Sequence, residues 1–127
     1  MKTRKAYTGI WRITDMSTWG KDFIDLVAPG HIQLKSDGTG TLAFGAVQAD
    51  MDCRIENIGT KERLSFSFEG WDEGDDISGR GWAEISEDKM SGWFGFHMGD
   101  DTTFKALRKS TENRKSTKRK RGSNQAL

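Results

Sequence analysis

Val47-Gln48-Ala49-Asp50-Met51-Asp52-Cys53-Arg54-Ile55-Glu56 alternates apolar and polar residues without a break. A period of two means a strand with one buried and one wet face, the habit of antiparallel sheets. Leu64-Ser65-Phe66-Ser67-Phe68-Glu69 repeats the pattern. Further strands are expected at Tyr7–Thr14, His31–Ser36, Thr39–Gly45, Gly79–Glu87, Met90–Met98 and Thr102–Arg108. Ser36-Asp37-Gly38, Asn57-Ile58-Gly59-Thr60 and Glu87-Asp88-Lys89 read as tight turns between strands. Short strands joined by hairpins predict an all-β fold, a single eight-stranded antiparallel up-and-down barrel. Gly81, Gly92 and Gly95 are expected to supply the bends that closure needs.

Asp15–Val27 breaks the pattern. Met16, Trp19, Phe23 and Leu26 recur at helical spacing, Asp15 or Ser17 can cap the start, and Pro29-Gly30 ends the stretch. Gly20 splits it into two short turns. The expectation is a short helical lid after strand 1. In a meander, the connections after the first, third, fifth and seventh strands share one end of the barrel. That end holds the lid, the Gly45-Ala46 bend, a loop Gly70–Ser78 and the turn Gly99-Asp100-Asp101. The other end holds only the three tight turns. Binding sites in barrels favour the mouth, so the elaborated end is the place to look.

The chain has 127 residues, which suits one domain. Apolar residues make up 34%, below the usual share of about 45–50%. Five Trp and seven Phe compensate in volume. No apolar run approaches the roughly 18 residues of a membrane span, so no membrane association is expected. Met1-Lys2-Thr3-Arg4-Lys5 is not followed by the apolar stretch of a secretory signal. One Cys excludes an internal disulfide framework. These features point to a cytoplasmic protein.

The net charge of +1 hides a split. Arg108, Lys109, Arg114, Lys115, Lys118, Arg119, Lys120 and Arg121 face only Glu112 in the last twenty residues, a net +7 there and −6 in the rest. Lys109–Ala126 contains no large apolar residue, so it is expected to be disordered in isolation. The expected division is a barrel domain at 1–108 and a basic tail at 109–127. Lys115–Arg121 can contact nucleic acid or an acidic partner through phosphates or carboxylates, although no interleaved aromatics offer base stacking.

Glu69-Gly70-Trp71-Asp72-Glu73-Gly74-Asp75-Asp76 is crowded with carboxylates. Such oxygen-rich stretches hold hard cations, so Asp72, Glu73 and Asp76 are candidate ligands for a divalent metal, against the plainer reading of a solvated loop. No other cofactor is implied. His97 precedes Gly99-Asp100-Asp101, and Arg80 follows the acidic stretch. A His near carboxylates can act as a base or a ligand. His31 begins its strand at the same end. The tryptophans Trp11, Trp82 and Trp93 are expected in the barrel core. Trp71 in a polar loop and Trp19 on the lid are candidates for ligand contact. Cys53 lies on an inward face with Met51 and Ile55 and is expected to be inert. Gly38-Thr39-Gly40 sits in a hairpin, not in the strand-to-helix turn of a nucleotide fingerprint.

Gly9-Ile10-Trp11 on the first strand, followed by a helical segment and a meander, resembles the calycin superfamily of lipocalins and fatty-acid-binding proteins. The resemblance implies a barrel whose first-strand Trp11 is stacked by a late basic side chain, here Arg108. The second lipocalin motif is missing, as is an Arg-x-Tyr pair near the end of the body. Phe68-Glu69-Gly70-Trp71-Asp72-Glu73, Ser78-Gly79-Arg80-Gly81-Trp82 and His97-Met98-Gly99-Asp100-Asp101 also resemble a group of small bacterial proteins with no assigned activity.

Two classes of function follow. The leading one is a binding module for a small ligand or protein partner at the open end, with Trp19 and Trp71 giving apolar contact and Arg80, His97 and Asp100 polar orientation. Its rival is a metal-dependent hydrolase using His97 and the acidic loop 69–76. A third expectation is interaction through the basic tail.

Overall fold

Burial along the decisive stretch follows the period of two. Val47, Ala49, Met51 and Cys53 are buried, while Gln48, Asp50, Asp52 and Arg54 are exposed. A computed structural model describes residues 5–109 of the chain. A 3-10 turn at Lys5–Tyr7 leads into β1 (Gly9–Met16), α1 (Lys21–Ile24), β2 (His31–Leu34), β3 (Thr39–Phe44) and β4 (Val47–Ile58). β5 (Lys61–Asp72), β6 (Asp75–Ser86), β7 (Lys89–Phe96) and β8 (Asp101–Arg108) follow. Each strand pairs antiparallel with the next, and β8 returns to β1 to close the barrel. The eight-stranded all-β reading is the observed fold. No helix among the described residues is long and apolar enough to cross a membrane.

The interior is filled by the protein itself. Phe94 is completely buried, with ring centroids 5.6 Å from Phe44, 5.7 Å from Phe68 and 5.8 Å from Phe104. Glycines on facing strands make the room. A Cβ at Gly79 would lie 2.5 Å from the Phe68 ring, one at Gly81 2.7 Å from Phe66, and one at Gly92 2.8 Å from Phe104. These glycines are therefore the flat beds on which rings lie, more than the bends expected of them. An eight-stranded barrel is wide enough either to be filled by side chains or to hold one ligand; this one is filled.

Two core expectations need correction. Trp82 and Trp93 lie on the outer wall as direct cross-strand partners. The physical reason is parity: Gly81, Ala83, Gly92 and Phe94 take the inward positions, so the indoles between them must face out. Of the three tryptophans expected inside, only Trp11 is completely buried. The lid is also shorter than its spacing implied. β1 continues to Met16, and only Lys21–Ile24 is helical. Its buried residue is Ile24, while Phe23, Leu26 and Val27 are exposed. Apolar spacing misled because strand pairing to β8 claimed Asp15 and Met16 first.

Each end is tied down by an arginine. At the plain end, the Arg108 guanidinium lies 4.2 Å from the Trp11 ring centroid. It donates to the carbonyls of Thr8 (2.9 Å) and Ala6 (2.7 Å) and to the Asp88 carboxylate (2.9 Å). Trp11 in turn donates its indole N–H to the Tyr7 carbonyl at 2.9 Å. At the elaborated end, Arg12 grips Asp25 with two bonds of 2.8 and 3.0 Å. Asp25 also accepts from the Gly30 amide at 2.9 Å and pairs with Lys21 at 3.1 Å. The Arg12 bonds hold the Asp25 carboxyl far below the usual carboxylate range. The basic tail beyond Lys109 lies outside the described residues.

Four substitutions test this account. Phe94→Ala is expected to cost about 3–5 kcal/mol in denaturant unfolding, and Gly81→Ala about 1–3 kcal/mol through overpacking. Arg108→Lys keeps the charge but loses the planar fork; a loss of about 1–3 kcal/mol is expected. Asp25→Asn is expected to lower the melting temperature at neutral pH. The carboxyl of Asp25 is depressed from an ordinary 3.8, so its contribution is complete above about pH 4 and disappears as pH falls below it. Melting curves of the two proteins should converge in that acidic window.

Candidate functional site

The connections after β1, β3, β5 and β7 do share one rim. The residues that build it are held by β1 and β8. Ser17 donates its amide to the Thr103 carbonyl at 3.1 Å, and the Thr103 amide donates to Ser17 Oγ at 2.9 Å. The Thr18 amide donates to Thr102 Oγ1 at 3.1 Å, the only buried polar side chain among the described residues. This clasp delivers Trp19 over the barrel mouth. Its ring lies 5.2 Å from Phe44 and 6.3 Å from Phe96, closing the end of the core. Phe23 covers the Gly45 bend, where a Cβ would come within 2.8 Å of its ring.

The expected acidic loop is a tight hairpin. β5 runs to Asp72 and β6 starts at Asp75, leaving Glu73 (φ 52°) and Gly74 (φ 93°) as the two turn residues. Both take the left-handed backbone that two-residue hairpins favour. Glu73 is a rare choice there, which is why the sequence read as a loop. The hairpin turns its carboxylates in different directions. Asp72 and Asp76 line a cleft of about 390 Å³ with Trp19, Phe96, His97 and Asp100. Trp19, Phe96 and Ile77 give this cleft an apolar side. Glu73 sits at the tip, outside that lining.

Of the expected ligand-binding residues, Trp19, His97 and Asp100 come together in this cleft. Trp71 and Arg80 do not join them. Trp71 follows the inward-facing Gly70 and points out from β5, 51% exposed. Arg80 is on the outer wall of β6, its guanidinium 6.0 Å from the Trp93 ring centroid. It lines a separate wall groove of about 620 Å³ with Asp50, Asp52, Ser67, Glu69 and His97. His97 thus stands where the cleft passes into the groove. His31 lies elsewhere, its Nδ1 3.0 Å from the Pro29 carbonyl.

Among the described residues, the His97 ring makes no hydrogen bond or ion pair. No three or more His, Cys, Asp or Glu side chains among them gather as a metal-binding group, and Asp72, Glu73 and Asp76 form none. Cys53 is completely buried, and burial pushes its thiol up to about 12. What the rim offers is aromatic rings and carboxylates lining one cleft.

Sequence reasoning missed the wall. Arg63 lies 4.5 Å from the Trp82 ring centroid, on the same outer face as Arg80 and Trp93. Trp93 donates its indole N–H to Asp101 at 3.2 Å. Counting parity along β6 and β7 from Ala83 and Phe94 would have found these outward indoles. No family model, curated protein or solved structure matches the chain.

Proposed function

We propose that this chain is a binding module on a calycin-like barrel, recognising a positively charged group with attached apolar surface at its rim cleft. A protonated alkyl amine or a lysine or arginine side chain has that chemistry. One observation carries the reading: Trp19 and Phe96 lie beside Asp72, Asp76 and Asp100 in one cleft. An indole attracts a cation to its face, and carboxylates accept charge-assisted hydrogen bonds from the same cation. Three carboxylates line the cleft beside the single imidazole of His97, so acidic groups outnumber basic ones there.

The Gly9-Ile10-Trp11 strand and the Arg108 stack over Trp11 support the calycin-like reading of the frame. The filled interior argues against a swallowed fatty ligand and for recognition at the mouth. The hydrolase reading requires His97 to be oriented by a carboxylate, and its ring has no such partner among the described residues. Binding is therefore the stronger reading.

The test is an NMR titration of the full chain with agmatine, an alkyl guanidinium, at low salt. Shifts are expected at the Trp19 indole N–H and the Phe96 and Asp100 amides. Asp76→Asn with Asp100→Asn is expected to weaken binding about tenfold or more, from loss of about 1.5–3 kcal/mol per charged hydrogen bond. Equal binding by the variant, or the same shifts with a fatty carboxylate, would overturn the proposal.

A further inference from the structure

The outer wall of β4–β6 carries an arrangement that folding alone does not reward. Asp50 and Glu69 are direct cross-strand partners. Like charges placed opposite each other on a sheet are destabilising. Both are exposed, and neither enters an ion pair among the described residues. They border the groove of about 620 Å³, whose lining also includes the small residues Ser67, Ser78 and Gly79. An adjoining depression adds the exposed Trp71 and its cross-strand partner Asp76. Arg80 is the opposing charge in the groove, and it is turned toward Trp93.

We propose that the chain's own basic run, Lys118–Arg121, docks in this groove, with its cations against Asp50, Glu69 and Asp76 and one of them over Trp71. The segment lies outside the described residues, and three observations on the body argue for it as occupant. Charge is complementary, because residues 108–127 carry a net +7 and the remainder −6. The groove lining includes the small residues Ser67, Ser78 and Gly79, beside which an extended chain can approach closely.

Reach is the third argument. Leu107 pairs with Lys89 and Lys89 with Ser86, so the chain leaves the barrel level with Ser86. Ser78 lies eight residues further along β6, about 26 Å at strand rise, and β5 lies about 15 Å round the wall from β8. The direct path is therefore about 30 Å. Lys118–Arg121 lie nine to twelve residues beyond Lys109, an extended span of about 30–40 Å. Tethering gives such a segment an effective concentration on the order of millimolar, enough for weak ion pairs to hold.

The experiment places a nitroxide on the full chain at Ser123→Cys; Cys53 is completely buried and escapes labelling. At about 0.01 M salt, signals of the Trp71 indole N–H and the Glu69 and Ser78 amides should lose most of their intensity. Signals of Arg12 and Gln33, across the barrel, should not. Intensity should return at about 1 M salt, where the screening length has shrunk about tenfold. It should also return in Asp50→Lys with Glu69→Lys, with unchanged Arg12 and Gln33 signals reporting that the barrel is intact. No broadening, or broadening spread evenly round the barrel, overturns the proposal. So does broadening seen only when labelled and isotope-enriched molecules are mixed, which would make the occupant a second copy's tail. Agmatine binding at Trp19 without any tail contact would leave the rim-cleft reading standing and remove only this one.

Discussion

The Arg108 guanidinium over Trp11 is the contact from which the rest of the molecule is organised. A meander becomes a barrel only if its last strand finds its first, and β8 meets β1 with Arg108 opposite Trp11. The stack at 4.2 Å joins the two ends of the barrel sheet. The same fork takes two carbonyls of the segment leading into β1 and the Asp88 carboxylate of the β6–β7 turn. Five donors in a rigid plane allow one side chain to do this, and a lysine has no equivalent. Gly9, with φ at 119° and Arg108 Nη1 3.4 Å from where a Cβ would sit, leaves room for the fork. Closure also removes sheet edges that would otherwise template association.

A closed barrel of this size must then decide what fills it. Here phenylalanines on one strand lie on glycines of the next, so volume is matched pairwise across the sheet. That leaves the mouth and the wall as the surfaces where charged side chains gather around a cleft and a groove. The mouth is sealed by Trp19, which closes the core from above and forms the apolar side of the cleft. The Arg12–Asp25 pair holds the lid beside it. Stability and site are thus built from the same segment, Ser17–Gly30. The wall is different in character. Its exposed indoles, arginines and carboxylates alternate with the inward apolar rows and contribute little to the core.

Much of this was legible in the residues, and the failures have specific causes. Period two along Val47–Glu56 read correctly because a buried face and a wet face are a local property of a strand. The pairing of Trp11 with Arg108 was legible through the resemblance of Gly9-Ile10-Trp11 to the first strand of calycins, which implies a late basic side chain on that tryptophan. Trp82 and Trp93 were misplaced because large aromatics were assigned to the core by type; parity assigns them to the wall. The hairpin Asp72–Asp75 was hidden by Glu73, an uncommon residue for its backbone conformation. Asp25 attracted no notice, since nothing local shows that Arg12, thirteen residues earlier, will face it.

By itself, then, the sequence determined the alternating strands, the three tight turns of the plain end, the closed meander and the end at which unusual residues collect. Those follow from alternation and chain order, which are properties of neighbours along the chain. Only the tertiary structure decided that the interior is full, that Trp71 points out from the wall, and that Asp50 faces Glu69. Those depend on strand register and on how rings nest against glycines, and a shift of one residue would invert every one of them.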